Sequence, residues 1–227
     1  MVMNPGFILI ILIAVVGMAV QYKLKSVFEK YSKVAFPGHL TGREVAEKML
    51  RENGITDVKV ISTSGQLTDH FNPANKTVNL SESVYNTVSV SAGAVAAHEC
   101  GHAVQHALNY APLKMRSTLV PIVQFSSMWA QIVILIGVFT MTTVPALFWV
   151  GIAMFTMVLL FSLITLPVEY DASRRALIWL RESGTVQGQE YSQAKEALSW
   201  AARTYLVAAL SALATLVYYL GFARNNN

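Results

Sequence analysis

The sequence predicts an α+β protein that is mostly α. Membrane-crossing helices join a small polar domain with a short sheet and one helix carrying the pattern H-E-x-x-H. Three observations lead there. Hydrophobic residues make up 54% of the 227 residues and charged residues only 13%, against a globular norm near ~25%. The charges gather in residues 23–116 and 167–203, leaving four long runs with almost none. Between those runs lie short alternating stretches and one small-residue helix rich in ionisable groups. The net charge of +4 is better explained by membrane topology than by nucleic-acid binding, because no basic stripe interleaved with aromatics is present. The single cysteine, Cys100, excludes an intrachain disulfide.

Residues 1–22 read as a transmembrane anchor. Phe7-Ile8-Leu9-Ile10-Ile11-Leu12-Ile13-Ala14-Val15-Val16 is wholly apolar. Nothing basic precedes it, which argues against a signal peptide. Lys23, Lys25, Lys30 and Lys33 follow at once, and the positive-inside rule then puts the carboxyl end in the cytoplasm. A basic juxtamembrane helix continues to Phe36, where Pro37-Gly38 breaks it. Thr41 caps the next helix, with Glu44 completing a capping box. Val45, Ala46, Met49 and Leu50 form its apolar side, and Gly54 stops it.

Val58–Ile61 reads as a short strand. Gly65–Pro73 reads as a turn-rich connection, and Lys76–Leu80 alternates as a strand does. Ser81 is placed as the cap of a short helix through Tyr85. A strand delivered just before a metal helix offers an edge on which an extended peptide can pair; a plain edge strand is the simpler alternative. His70 and His39 read as polar loop residues.

The segment Ala96-Ala97-His98-Glu99-Cys100-Gly101-His102-Ala103 lies in a helix from about Val90 to Leu108. Helical geometry puts His98 and His102 one turn apart on one face. Two imidazoles so placed can reach one zinc ion at roughly 2.0–2.1 Å. Glu99 falls beside the metal but not on it, where it can accept a proton from a zinc-bound water. Burying three ionisable groups among alanines is costly without a strong partner. Cys100 points away from the histidine face. His106 continues the series but lies ~12 Å along the axis from His98, too far for a shared tetrahedral ion. Gly101 allows close packing against another element.

Residues 117–166 form a transmembrane hairpin, with runs Leu119–Thr140 and Ala146–Leu166 about an uncharged turn. A last span covers 204–224. Each run has about the ~20 residues a bilayer needs. Gln124, Ser126, Ser127 and Gln131 are expected to face other helices. Residues 167–203 lie two spans beyond the H-E-x-x-H helix and hence on the same side of the membrane. A catalytic zinc takes three protein ligands and one open position. Among the later acids, Glu190, Glu182 and Glu196 read as surface charge. Glu169 and Asp171 open a helix directly after a span, and Glu169 is expected to be the third ligand. Asp171 or Arg174 would support it from behind.

Three spread features resemble one family. They are Leu67-Thr68-Asp69-His70-Phe71-Asn72-Pro73 running into Leu80-Ser81-Glu82-Ser83-Val84-Tyr85; the His98–His106 segment; and Leu166-Pro167-Val168-Glu169-Tyr170-Asp171-Ala172-Ser173-Arg174-Arg175-Ala176. Together they are similar to the YugP-type neutral zinc metallopeptidases of bacterial membranes, and more distantly to the HtpX class, in which a later-helix glutamate sits in E-x-x-A-D. Glu169 and Ala172 match that pattern; Ser173 stands where it has Asp. The resemblance implies a zincin-like domain of gluzincin type with one Zn2+ per chain. It implies a membrane endopeptidase of the bacterial plasma membrane, acting on unfolded or membrane-proximal polypeptides, with Glu99 activating water. His70, Tyr170 and Arg174 are candidate oxyanion donors. The alternatives are an intramembrane protease, disfavoured because no apolar span carries an acid, and a zinc-binding scaffold or client-binding subunit without peptidase activity. A membrane-protein partner or homo-oligomer is compatible with the exposed apolar spans; nucleic acid is not an expected partner.

Overall fold

The computed structural model describes residues 5–225. The first four residues of the expected anchor and the last two of the asparagine tail lie outside the described residues. The chain is mostly helical with one three-stranded sheet. Helices α1 (Pro5–Ser32), α2 (Gly42–Glu52), α3 (Glu82–Tyr85), α4 (Val90–Ala107), α5 (Ala111–Phe139), α6 (Pro145–Glu182) and α7 (Gly188–Asn225) alternate with strands β1 (Lys59–Thr63), β2 (His70–Asn72) and β3 (Thr77–Ser81). Four of the helices, α1, α5, α6 and α7, are long and apolar enough to cross a membrane. At 1.5 Å per residue, α6 is ~57 Å long, well beyond the ~30 Å hydrocarbon thickness. One helix therefore carries both an apolar run and the polar stretch after it.

Two compact units emerge. Among the described residues the first comprises 5–19, 115–166 and 204–225. Its α5–α6 hairpin closes on small residues. A Cβ on Gly137 would lie 2.5 Å from the Phe148 Cα, and one on Gly151 would lie 2.9 Å from the Ile134 Cα. Such close backbone approach replaces the hydrophobic drive that lipid cannot supply. Of the polar residues expected to face other helices, Ser126 is buried and Gln131 donates to the Tyr219 hydroxyl at 3.4 Å. Gln124 and Ser127 are exposed instead, and the Ser127 hydroxyl is satisfied by the Gln124 carbonyl at 3.1 Å.

The second unit comprises residues 20–114 and 167–203. Helix α4 is its axis, and nearly all its residues are buried. The Ser89 hydroxyl caps it, accepting from the Ala92 N–H at 3.2 Å. The capping box of α2 forms as its residues predict. The Thr41 N–H donates to the Glu44 carboxylate at 2.8 Å, and the Glu44 N–H returns a bond to the Thr41 hydroxyl at 3.3 Å. Val45, Ala46, Met49 and Leu50 are all buried.

The sheet departs from expectation in three ways. Its order is β1-β3-β2, with β1 parallel and β2 antiparallel to β3. The stretch Gly65–Pro73 thus contains a strand, not only turns; three residues are too short for alternation to show. Asn72 accepts from the Ala74 N–H at 2.9 Å to close the β2–β3 turn. The third strand is central rather than an edge, and all five of its residues are buried instead of alternating. The outer strand beside α4 is β2, whose Phe71 ring lies 5.6 Å from the ring of His106. Ser81 starts α3 in position only. Its hydroxyl makes no capping bond and goes to the Asp69 carboxylate, which also accepts from the Ser81 N–H at 2.7 Å.

Helix α6 does not begin at Glu169. It runs through Pro167 without ending. Proline has no N–H to offer the carbonyl four residues back, which usually kinks or stops a helix in water. Here the surrounding helix of 38 residues carries the chain across. Glu169 is consequently an interior helical residue, not an N-terminal charge.

Candidate metal centre

His98, Gly101, His102 and Gln105 follow the spacing i, i+3, i+4, i+7, so they form one stripe of α4. That stripe faces α6. A Cβ built on Gly101 would lie 2.5 Å from the Ala172 carbonyl oxygen, so glycine is what lets the two backbones meet. The contact brings Val168, Glu169, Ala172 and Ser173 onto the histidine stripe. Cys100 falls on the opposite side, its thiol 3.5 Å from the Ala46 carbonyl of α2. Burial pushes that thiol well above its usual range, and its contact with α2 directs it away from the histidines.

Three side chains converge. The Nε2 of His98 lies 3.2 Å from Glu169 Oε2, and the Nε2 of His102 lies 3.6 Å from the same oxygen. One ligand atom from each residue falls within 4.8 Å of the others. Ligand atoms on a tetrahedral ion with bonds of ~2.0–2.1 Å stand ~3.3 Å apart. The two nitrogen-to-oxygen separations lie close to that edge, and the donor set of two imidazoles and one carboxylate suits zinc. Glu169 is 1% exposed, and a carboxylate so buried needs a cationic partner. Of the three side chains His98 is the most accessible, at 13%, so the cluster opens on its side. Glu99, also buried, sits one residue on and ~100° around the helix.

A family model described as "Putative neutral zinc metallopeptidase" matches residues 6–224. The chain belongs to this family. The "Putative membrane protease YugP" of Bacillus subtilis (strain 168) is 41% identical over 210 residues, 92% of each chain. No solved structure matches. With its four apolar helices, the chain is a membrane member of the neutral zinc metallopeptidases.

The remaining expected site residues of this metallopeptidase fall outside the cluster. Asp171 accepts from Arg174 at 2.6 Å and from Arg175 at 2.5 Å, and it meets the Gln105 amide at 3.0 Å rather than either histidine. Tyr170 is 48% exposed. His70 opens β2, its Nδ1 2.7 Å from the Thr68 carbonyl. His106 packs on Phe71 and is not part of the cluster. Two contacts to the histidines were not read from the sequence. Ser173 Oγ lies 3.0 Å from His98 Nδ1, at the position where the related pattern has Asp. Gln105 Oε1 lies 3.0 Å from His102 Nδ1. The signal for Gln105 was its spacing three residues after His102, which is legible only once the neighbouring helix is known.

Proposed function

We propose that this chain is an integral-membrane zinc endopeptidase that cleaves unfolded or membrane-proximal polypeptides. The observation that carries the reading is the convergence of His98, His102 and Glu169 within 4.8 Å beside a buried Glu99. These three residues would hold one zinc ion. When bound, zinc supplies Lewis acidity and lowers the pKa of an attacking water toward ~7.

The protein's own groups do the rest. Glu99 accepts the water proton and passes it to the leaving amine. The open side at His98 admits the carbonyl. Among the described residues the outer edge of β2 carries no strand, so an extended polypeptide can pair there and lie along α4. That mode needs a strand-like substrate, which favours unfolded segments. His70, Tyr170 and Arg174, whose guanidinium keeps donors beyond its bond to Asp171, are the candidate donors for charge developing on the carbonyl oxygen. The basic residues after the first span and in 167–203 support a multi-pass topology with the catalytic unit on the cytoplasmic side.

The test uses wild type and Glu99→Gln, purified in detergent and loaded with equal zinc, on casein. Wild type is expected to cleave, and the variant to lose ~10²–10⁴-fold. Equal cleavage by both would remove Glu99 as base. No cleavage by zinc-loaded wild type would overturn the peptidase reading.

A further inference from the structure

We propose that Gln105 is a positioning residue that fixes the tautomer of His102, and that Asp171, held by two arginines, fixes Gln105 in turn. The inference rests on His102 being a zinc ligand, as proposed above.

The argument begins with the Gln105 amide, which is fully buried. Its nitrogen lies 2.8 Å from the Val168 carbonyl oxygen and 3.0 Å from Asp171 Oδ2. The carbonyl is acceptor-only. Asp171 is ion-paired with Arg174 and Arg175 and, ionised, is acceptor-only too. Turning the amide over would set an oxygen against two acceptors. Chemistry therefore assigns the nitrogen to that side, and Oε1 to the side of His102. An amide oxygen can only accept. His102 Nδ1, 3.0 Å away, must then carry the proton. Its Nε2 is the ring nitrogen directed at the cluster, 3.6 Å from Glu169 Oε2.

His98 differs. Its Nδ1 meets the Ser173 hydroxyl, which can donate or accept and so dictates no tautomer. Of the two imidazoles, only His102 has the proton on its Nδ1 dictated by the side chain behind it. The chain Arg174/Arg175–Asp171–Gln105–His102 joins α6 to α4 at the point where the ligands meet. It holds the imidazole ready before metal arrives, so binding need not pay to reorient it.

The experiment uses full-length protein in detergent with 15N-labelled histidine. Metal-free wild type is examined first by NMR at mildly alkaline pH, where protonated and bare ring nitrogens are distinguished. His102 is expected to show a protonated Nδ1; a bare Nδ1 would overturn the proposal without any variant. Zinc affinity is then measured by chelator competition for Gln105→Met and Gln105→Glu. Met fills the space but accepts no hydrogen bond, and should mix the tautomers and weaken zinc binding ~10–100-fold. Glu retains an acceptor for Nδ1 and, with its other oxygen protonated to donate toward the Val168 carbonyl and Asp171, should keep the tautomer and bind more tightly than Met. A purely space-filling role predicts the reverse order, and that order, or a Met variant equal to wild type, would refute the proposal. Neither readout involves substrate. An inactive wild type with the expected tautomer would sink the peptidase reading alone, while an active one with the wrong tautomer would sink this inference alone.

Discussion

Replacing Gly101 with alanine tests whether helix contact builds the metal centre. The added methyl would lie 2.5 Å from the Ala172 carbonyl oxygen and 3.1 Å from the Ala172 Cα. Relief needs the helices to part locally by ~0.5–1 Å to restore ordinary contact distances. Zinc tolerates only ~0.2 Å of ligand misplacement, and Glu169 sits one turn from the contact. Overpacking of this kind costs ~1–3 kcal/mol, while alanine recovers ~1 kcal/mol of helix propensity. Fold stability should therefore change little. The metal-free protein relaxes by separating α4 from α6, and zinc must close them again. Zinc affinity should consequently fall ~5–150-fold, the equivalent of 1–3 kcal/mol. Chelator competition measures the affinity and thermal melting in detergent the stability. Gly221→Ala is the control, since a methyl there meets nothing within 4 Å. Wild-type zinc affinity in Gly101→Ala would refute the claim that this contact places Glu169.

Two other outcomes follow from the same geometry. Ser173→Ala removes the partner of His98 Nδ1 and should weaken zinc ~10-fold, whereas Ser173→Asp restores an acceptor and should bind at least as tightly as wild type; unchanged affinity in the alanine variant would rule out an orienting role. Zinc at ~100 times its Kd should stabilise the fold by ~2.7 kcal/mol, read as a rise in melting temperature that Glu99→Gln keeps and Glu169→Ala loses; an undiminished rise in Glu169→Ala would strike Glu169 from the ligands.

The sequence by itself determined the class of fold and named the residues that meet in the cluster. Long uncharged runs can only be satisfied as helices in a bilayer. The capping box at Thr41 and the spacing of His98 and His102 are local patterns, governed by neighbours within one turn. What lies further apart was decided by tertiary structure. Strand β2 is three residues long and exists because β3 offers it a partner. The central place of β3 follows from pairing on both sides, which no local alternation encodes. Glu169 was nameable from the sequence, but its setting was not. The continuity of α6 through Pro167, and the approach permitted by Gly101 against Ala172, bring together groups about seventy residues apart. Ser173 and Gln105 acquire their histidine partners only through that contact. A hydrogen bond depends on the distance between two helices to within a few tenths of an ångström, and that distance is set by packing rather than by any pattern along one helix.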